Sequence, residues 1–305
     1  MLVYVKLVLT AAFWGGTFIA GKMLAGDVTP YSAAFLRFVI ASLFLVVLTR
    51  IIEGEIPKIP RNKILPVTLL GLTGVFSYNI FFFKGLHYIG AGRASLIIAT
   101  NPILISCLSA LIFKEQLNRI KVAGILMSVC GAILVISRGD PAILFGHGIG
   151  TGEVCIFICV LSWVTYSLIG KFVMNELSAI TSVCYSSVIG TIALMGPALA
   201  NGLVRDISSY SAGNWIALVY LGFFGTVLGF FWYYDGIKKI GPMKAGVFIN
   251  FVPVSALLFS FLILGERITL PTLGGAVLVI SGVYVTNFSD FIQTLFHSAG
   301  RRHAS

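Results

Sequence analysis

The sequence predicts an all-α integral membrane protein, with ten transmembrane helices in two inverted five-helix repeats. Hydrophobic residues make up 58% of the 305 residues and charged residues only 10%, whereas soluble domains have about 45–50% and about 25%. A soluble chain of this length could not bury so much apolar surface, so we expect the lipid bilayer to be its solvent. The stretch from Gly85 to Gly131 also returns without gaps as Gly236 to Gly282, which is typical of transporters built from structural repeats.

Ten windows of about 20 apolar residues can be placed along the chain. Spans one and six share a Trp, spans three and eight share aromatic clusters, spans four and nine each contain a proline, and spans five and ten share two glycines. The longest connection, residues 51–64, carries five charged residues and is predicted to be solvated. In chain order, the predicted spans are 4–24, 31–50, 65–86, 92–113, 119–137, 151–171, 179–200, 213–235, 243–264 and 269–288.

The repeat extends to the start of the chain. Trp14 and Lys22 recur as Trp163 and Lys171, so the first apolar segment belongs to the repeat and is not interpreted as a signal peptide. The glycine-rich stretch 146–152 matches neither the P-loop nor the dinucleotide-binding pattern and predicts a linker between the halves. We therefore expect a first repeat over residues 4–139, a linker over 140–150, a second repeat over 151–288 and a cytoplasmic tail over 289–305.

Positively charged residues predict the orientation of the spans. Fourteen Lys and Arg residues fall on the side that holds the N-terminus, six fall on the opposite side, and Arg37 lies inside span two. The positive-inside rule therefore places both termini in the cytoplasm, and we expect the membrane to be the cell (inner) membrane. Because each repeat has an odd number of spans, the second enters the membrane from the opposite face, an arrangement that supports alternating access.

Three motifs resemble the EamA-type branch of the drug/metabolite transporter (DMT) superfamily. They are Trp14 followed by Gly-Gly-Thr-Phe, the Phe35-Leu-Arg-Phe38 stretch, and the proline-centred spans four and nine that end at Glu115 and Glu266. The resemblance covers about residues 4–288 and implies ten helices, cytoplasmic termini, a central cavity and export of amino acids or related small metabolites. Nucleotide-sugar and triose-phosphate carriers share this architecture, so exchange of phosphorylated or nucleotide-linked metabolites is an alternative.

Polar groups inside spans are candidates for lining a wet cavity, because lipid penalises them. Arg37 in span two is either an anion-binding group or a structural Arg that reaches the surface or caps carbonyls. Asn79, Asn101 and Asn250 are mid-span amides that could bind a substrate or join helices. Pro102 and Pro253 occupy equivalent places, and each is expected to kink its helix beside the substrate.

Aromatic residues at repeat-related positions are the second group of candidates. Trp14 and Trp163 are counterparts, and Tyr78 and Trp232 belong to matching clusters in spans three and eight. Their faces suit apolar or aromatic metabolites and can stack on an ammonium group, although single aromatic residues also commonly face lipid. The predicted substrate-binding set is Trp14, Arg37, Tyr78, Asn79, Asn101, Trp163, Trp232 and Asn250.

Other classes of function find little support in the sequence. Its basic residues form no continuous stripe for nucleic acid, its Cys and His residues lack metal-ligand spacing, and no hydrolase or zinc-protease motif occurs. We therefore expect no enzyme, no metal and no cofactor. Glu153 and Asp235 are the carboxylates nearest a span core, and either could carry a coupling proton if desolvated; exchange against a counter-substrate is equally compatible.

The sequence thus predicts a secondary transporter that exports a small metabolite by alternating access. A non-transporting membrane scaffold or lipid-handling subunit is the alternative from another class. The expected partners are the metabolite and the lipid bilayer, with a coupling proton or counter-substrate left open.

Overall fold

The structure, a computed structural model, describes residues 1–24, 26–89, 94, 97–137, 140, 150–264, 269–289 and 291. These residues fold into helices, and no strand occurs among them. The predicted linker 140–150 and the predicted tail lie mostly outside the described residues. The helices are α1 (Leu2–Leu24), α2 (Pro30–Glu53), α3 (Arg61–Tyr88), α4 (Asn101–Phe113), α5 (Arg119–Ser137), α6 (Thr151–Val173), α7 (Ala179–Ala200), α8 (residues 212–240), α9 (residues 242–264) and α10 (Leu270–Asn287).

These helices confirm the all-α membrane fold. Eight helical stretches among the described residues are long and apolar enough to cross a bilayer. One of them, Ala212–Ala256, contains all of α8 and the first part of α9, and α4 is a shorter apolar helix. The ten predicted spans therefore each correspond to one helix of the bundle.

A single glycine separates α8 from α9. Gly241 adopts φ 83° and ψ 158°, a backbone conformation that residues with a Cβ atom rarely adopt. Pro242 follows directly, and its fixed φ suits the start of a new helix. The chain therefore reverses here without a loop.

Equivalent helices begin with equivalent caps. The Thr29 side chain accepts a hydrogen bond from the Ser32 backbone N–H at the start of α2, and Ser178 does the same for Thr181 at the start of α7. Such hydroxyl caps satisfy backbone donors that a helix N-terminus leaves free. Thr29 and Ser178 correspond in the alignment that pairs Trp14 with Trp163, so the repeat extends to local geometry.

The tightest helix pair is formed by α5 and α10, the equivalent helices that end the two repeats. A Cβ atom added at Gly131 would lie 2.7 Å from the Gly275 carbonyl oxygen, and the reverse distance is also 2.7 Å. Gly124 and Gly282 are related in the same way, at 2.9 and 2.6 Å. Small residues let transmembrane helices approach this closely.

The order of these glycine pairs gives the relation between the repeats. Gly124 in α5 meets Gly282 in α10, and Gly131 meets Gly275, so numbers rise along one helix as they fall along the other. The two equivalent helices are therefore antiparallel, and a rotation that exchanges them must have its axis across the helices, in the membrane plane. The repeats are inverted, as the sequence predicts.

A distortion of the backbone also recurs in both repeats. Residues Gly71–Ser77 of α3 and Phe223–Leu228 of α8 adopt π-helical hydrogen bonding, which is rare and frequent at functional sites. Both segments lie beside the centre of the bundle. Gly74 packs on Tyr166 of α6, and its repeat counterpart Gly225 packs on Thr17 of α1, which is the counterpart of Tyr166.

Candidate functional site

A cavity lies at the centre of the bundle, where both repeats contribute. It encloses about 50 Å³ in which a water-sized sphere fits, room for a few water molecules in this conformation. Its described lining residues come from α1, α2, α3, α4, α6, α8 and α9 and from the segment before α4, and they are mostly aromatic or aliphatic. They are Trp14, Thr17, Phe18, Arg37, Tyr78, Phe82, Ile98, Asn101, Trp163, Phe230, Ile249 and Val252.

Arg37 is the charged residue among the described lining residues. Its side chain is buried, with 5% of its surface exposed. The guanidinium Nε donates to Thr226 Oγ1 at 2.9 Å, and Nη1 donates to Asn79 Oδ1 at 3.2 Å. Both partners are neutral, and no carboxylate of the described residues lies within ion-pair distance. The cavity therefore contains a positive charge without a counter-ion in the described protein.

The partners of Arg37 belong to the distorted parts of α3 and α8. Asn79 lies two residues after the end of the π-helical segment of α3 and donates to the Val75 carbonyl within it. Thr226 lies within the segment of α8 and donates to the Leu221 carbonyl, five residues earlier. One guanidinium thus joins the same feature of both repeats, and the π-helical geometry leaves carbonyls for these side chains.

Aromatic rings form the walls of the cavity. Trp163 contacts Trp14 and Phe230 edge-on, each with ring centroids 5.1 Å apart, and Tyr78 stacks on Phe82 at 5.7 Å. Trp14 is held in place because its Nε1 donates to the Gly225 carbonyl at 2.9 Å. Edge-to-face pairs at this spacing are favourable, so the wall is a packed aromatic assembly.

Asn101 adds an acceptor to this wall. Its Nδ2 donates to the Ile98 carbonyl at 2.9 Å, whereas no donor in the described part of the chain reaches its Oδ1 atom. Asn101 is 1% exposed. A buried polar atom without a partner destabilises a fold by about 1–3 kcal/mol, so this oxygen is available to a ligand.

A hydrogen-bonded layer of tyrosines closes the cavity toward the face of the membrane at which α1 begins, termed here the N-terminal face. Tyr166, Tyr233 and Tyr234 are at most 1% exposed. Tyr234 donates to the Tyr166 carbonyl at 2.9 Å, and the Tyr233 hydroxyl pairs with Ser167 at 3.1 Å. Each of these residues lies beyond Trp163 or Phe230 on helices that run to that face. The cavity itself lies toward the opposite face.

The structure brings five of the eight sequence-predicted substrate residues to the cavity, namely Trp14, Arg37, Tyr78, Asn101 and Trp163. The other three lie outside its lining. Asn79 supports Arg37 from behind, Asn250 is fully buried and donates to Ser128 on α5 at 2.9 Å, and the Trp232 ring packs on Phe13 at 5.8 Å.

Each predicted kink proline follows an irregular turn. Residues 99 and 100 form a turn directly before the helix that starts at Asn101 and Pro102. The 3₁₀ segment Val247–Asn250 precedes the helical run that contains Pro253. These segments place Ile98, Asn101 and Ile249 at the cavity.

Sequence reasoning does not identify several lining residues, notably Thr17, Phe18, Ile98, Phe230, Ile249 and Val252. Their residue types are common everywhere in a membrane helix, so composition carries no signal for them. Thr17 is the exception, because the repeat gives a signal for it. Thr17 and Tyr166 lie at the same distance from the paired residues Trp14 and Trp163. Among the described residues, no group of three or more His, Cys, Asp or Glu side chains could hold a metal ion.

Comparison with known proteins gives the family. The profile of the EamA-like transporter family matches residues 1–137 and 150–288, which together cover most of the chain and both repeats. The chain belongs to the EamA-like transporter family. It is therefore a multi-pass membrane protein of a transporter family, and the resemblance seen in the sequence is confirmed.

Relatives with transporter names match most of the length of the chain. The uncharacterized transporter YyaM of Bacillus subtilis is 32% identical over 92% of this chain and 92% of its own. An uncharacterized transporter of Archaeoglobus fulgidus is 31% identical over 92% of this chain and 97% of its own. A solved crystal structure, 21% identical, matches 94% of this chain and 98% of its own with a TM-score of 0.77. At that identity it supports the fold alone.

Proposed function

We propose that this EamA-like protein is a secondary transporter that exports small metabolites bearing a carboxylate, with amino acids as the first class to test. The observation that carries the proposal is Arg37, a buried cation that faces the cavity without a counter-ion in the described protein. A guanidinium at mid-span is unfavourable by about 2.5–3.5 kcal/mol on insertion scales. A ligand carboxylate would neutralise it.

The donors left on Arg37 suit this role. A guanidinium has five N–H groups, and the hydrogen bonds to Thr226 and Asn79 use two of them. Nη2 can therefore donate to a carboxylate, and Arg binds planar anions well because of its fork geometry. The two existing bonds hold the fork in one orientation, which reduces the entropy lost when a substrate binds.

The rest of the cavity favours an amphipathic metabolite with an amino group. The unpartnered Oδ1 of Asn101 can accept a hydrogen bond from an ammonium, and the faces of Trp14, Trp163 and Tyr78 can stabilise a cation or an apolar side chain. An amino acid combines these features in one molecule.

Alternating access between the inverted repeats supplies the mechanism of this proposal. In the conformation described, the tyrosine layer closes the N-terminal face, which the charge distribution places in the cytoplasm. Exchange of the conformations of the two repeats would open that face and close the other. Export from the cytoplasm across a cell (inner) membrane then requires the cavity to face each side in turn. The driving force for export is either coupling to a proton or exchange against a counter-substrate.

A counterflow screen in proteoliposomes tests the substrate class. Vesicles loaded with one unlabelled compound are given its labelled form, with and without a pH gradient, using amino acids, their decarboxylated amines, polyamines, nucleosides and phosphorylated sugars. We expect exchange of amino acids and none of the matched amines, since only the carboxylate pairs with Arg37. Exchange of the amines at the same rate would contradict the proposal. A dependence on the pH gradient would identify proton coupling.

Two alternatives correspond to other outcomes of the same screen. Exchange of phosphorylated or nucleotide-linked compounds would favour the carrier alternative. A site for such a dianion is expected to contain several cationic side chains, whereas the described lining contains one, Arg37. The absence of flux for every compound, from correctly folded protein, would favour the scaffold or lipid-handling alternative.

A further inference from the structure

Three ion pairs among the described residues link the repeats at the N-terminal face, one of them between Lys63 and Glu176 at 3.1 Å. Lys171 Nζ at the end of α6 lies 2.7 Å from Glu115 Oε1, just after α4. Lys6 Nζ near the start of α1 lies 3.4 Å from Asp235 Oδ2 near the end of α8. Each pair joins a residue of the first repeat to a residue of the second, so a movement that separates the repeats at this face would break it.

The surroundings of these pairs are tightly packed. Glu115 lies against Gly241, the residue that separates α8 from α9. A Cβ atom added at Gly241 would be 2.7 Å from Glu115 Oε1. Asp235 is 15% exposed and Lys6 is 23% exposed, so both charges are partly removed from water. The residues of these pairs on α1, α6 and α8 lie nearer this face than the tyrosine layer does; they are Lys6, Lys171 and Asp235. Separation of α1 from α8, or of the end of α4 from α6, would therefore part the charges.

The Glu115–Lys171 pair and the Lys6–Asp235 pair differ in their relation to the repeat. Glu115 and Lys171 correspond in sequence to Glu266 and Lys22, and Glu266 lies outside the described residues. Lys6 corresponds to Cys155, and Asp235 corresponds to Lys84. A cysteine and a lysine cannot form the equivalent attraction. The Lys6–Asp235 pair therefore has no counterpart at the repeat-related positions 155 and 84.

We infer that the Lys6–Asp235 pair is a one-sided latch, which biases the resting transporter toward the conformation closed at the N-terminal face. An interaction present in only one of two conformations shifts their populations toward it. The bias leaves the cavity exposed to the opposite side when no substrate is bound. This inference rests on the alternating-access part of the proposed function and is independent of the substrate.

Chemical labelling of a reporter cysteine tests the latch. The five native cysteines are replaced, and Ser167 within the tyrosine layer becomes cysteine, a change that preserves its size. A membrane-impermeant maleimide is then added from the N-terminal face of oriented vesicles, without substrate. We expect Asp235→Asn to raise the labelling rate by about two- to fivefold, the population change that loss of a partly exposed ion pair produces. Asp235→Glu should restore the parent rate.

The chain offers a matched control on the same helix. Lys239 also pairs with Asp235, at 2.9 Å, but both residues belong to α8, so their contact does not link the repeats. Lys239→Gln should leave the labelling rate unchanged, whereas Lys6→Gln should reproduce the effect of Asp235→Asn. The same rate in all variants would overturn the latch.

A second reporter separates a population shift from loosening of the structure. Phe18→Cys lies in the cavity, toward the opposite face, and is labelled from that side. A shift predicts that Asp235→Asn lowers this rate while it raises the rate at position 167. An increase at both positions would mean general loosening and would also overturn the inference. Because no substrate is used, these results are distinct from those of the counterflow screen.

Discussion

At the scale of single residues, Arg37 combines two roles that are separable by mutation. Its hydrogen bonds to Asn79 and Thr226 join α2 to the distorted segments of α3 and α8, while its charge faces the cavity. Thr226→Val removes one neutral partner and keeps the charge. Arg37→Gln removes the charge and keeps a side chain that can hydrogen-bond.

We expect Arg37→Gln to lower amino-acid counterflow by at least about tenfold, because truncating one member of a buried charge pair typically reduces affinity by that much or more. Thr226→Val should have a smaller effect, and Arg37→Lys should recover part of the activity since it restores charge without the planar fork. Counterflow rates, with the elution profile of each purified variant as a folding check, give the comparison. Parent-like flux in Arg37→Gln would remove the anion-binding role.

The cavity wall provides a second residue-level prediction. Replacing Asn101 or Trp163 with Ala should reduce transport by about tenfold while expression stays near the parent level, because binding sites concentrate energy in a few buried contacts. Trp232→Ala is the matched control, since that Trp packs on Phe13 outside the cavity. Initial rates of counterflow measure the effect. If Trp232→Ala impairs transport as strongly as Trp163→Ala, the cavity described here is not the substrate path.

At the scale of helices, the antiparallel contact of α5 and α10 depends on the absence of side chains. Gly275→Val would place a Cβ atom 2.7 Å from the Gly131 carbonyl and 2.8 Å from the Val135 backbone nitrogen, and backbone atoms cannot rotate away. Gly274, its neighbour on the same helix, has no heavy atom within 4 Å of an added Cβ. The pair therefore isolates packing from the intrinsic effect of the residue type.

We expect Gly275→Val to destabilise the protein by roughly 1–3 kcal/mol, the usual consequence of overpacking, and Gly274→Val to leave stability near that of the parent. Thermal unfolding in detergent, followed by intrinsic tryptophan fluorescence, measures the difference. Equal melting temperatures for the two variants would mean that the helices can separate at this point without loss.

The sequence predicts the helices better than it predicts their irregularities. Hydropathy locates all ten spans because each must satisfy its backbone within the bilayer, and the predicted boundary of α3 differs from Arg61–Tyr88 by a few residues at each end. The π-helical segments are not predicted, since nothing in Gly71–Ser77 differs in composition from an ordinary helix. Their signal is tertiary: Arg37 and Thr226 are distant in sequence and meet only in the folded bundle.

At the scale of the whole molecule, topology is the property that charge counting predicts and that a fusion experiment can measure. A reporter active only in the cytoplasm should give signal when fused in the connections near Lys58, Arg119 and Lys244. Fusions near Arg138, Arg205 or Arg267 should be silent, because the positive-inside rule places them outside. Signal from the second group would reverse the orientation of the protein and turn the latched face outward.

For the candidate site, sequence reasoning is most successful where the transfer of a side chain into lipid is energetically unfavourable. Arg37 and Asn101 are detectable because a charge or an amide inside a span needs a reason. The same reasoning selects Asn79 and Asn250, but the structure uses these amides to hold Arg37 and Ser128. Whether a buried amide faces a ligand or a neighbouring helix depends on helix rotation, and hydropathy contains no information about rotation in a chain that is apolar on every side.

The crossed glycine pairs of α5 and α10 have a consequence for the origin of the chain. Each helix presents the same two glycines to the other, so the surface is self-complementary, as at a two-fold dimer interface. A five-helix protein with this surface would recognise a second copy of itself inserted upside down in the bilayer. The present chain can be understood as two such copies, oppositely oriented in the membrane and joined end to end. Joining them fixes their one-to-one ratio and lets the sequence of each half diverge.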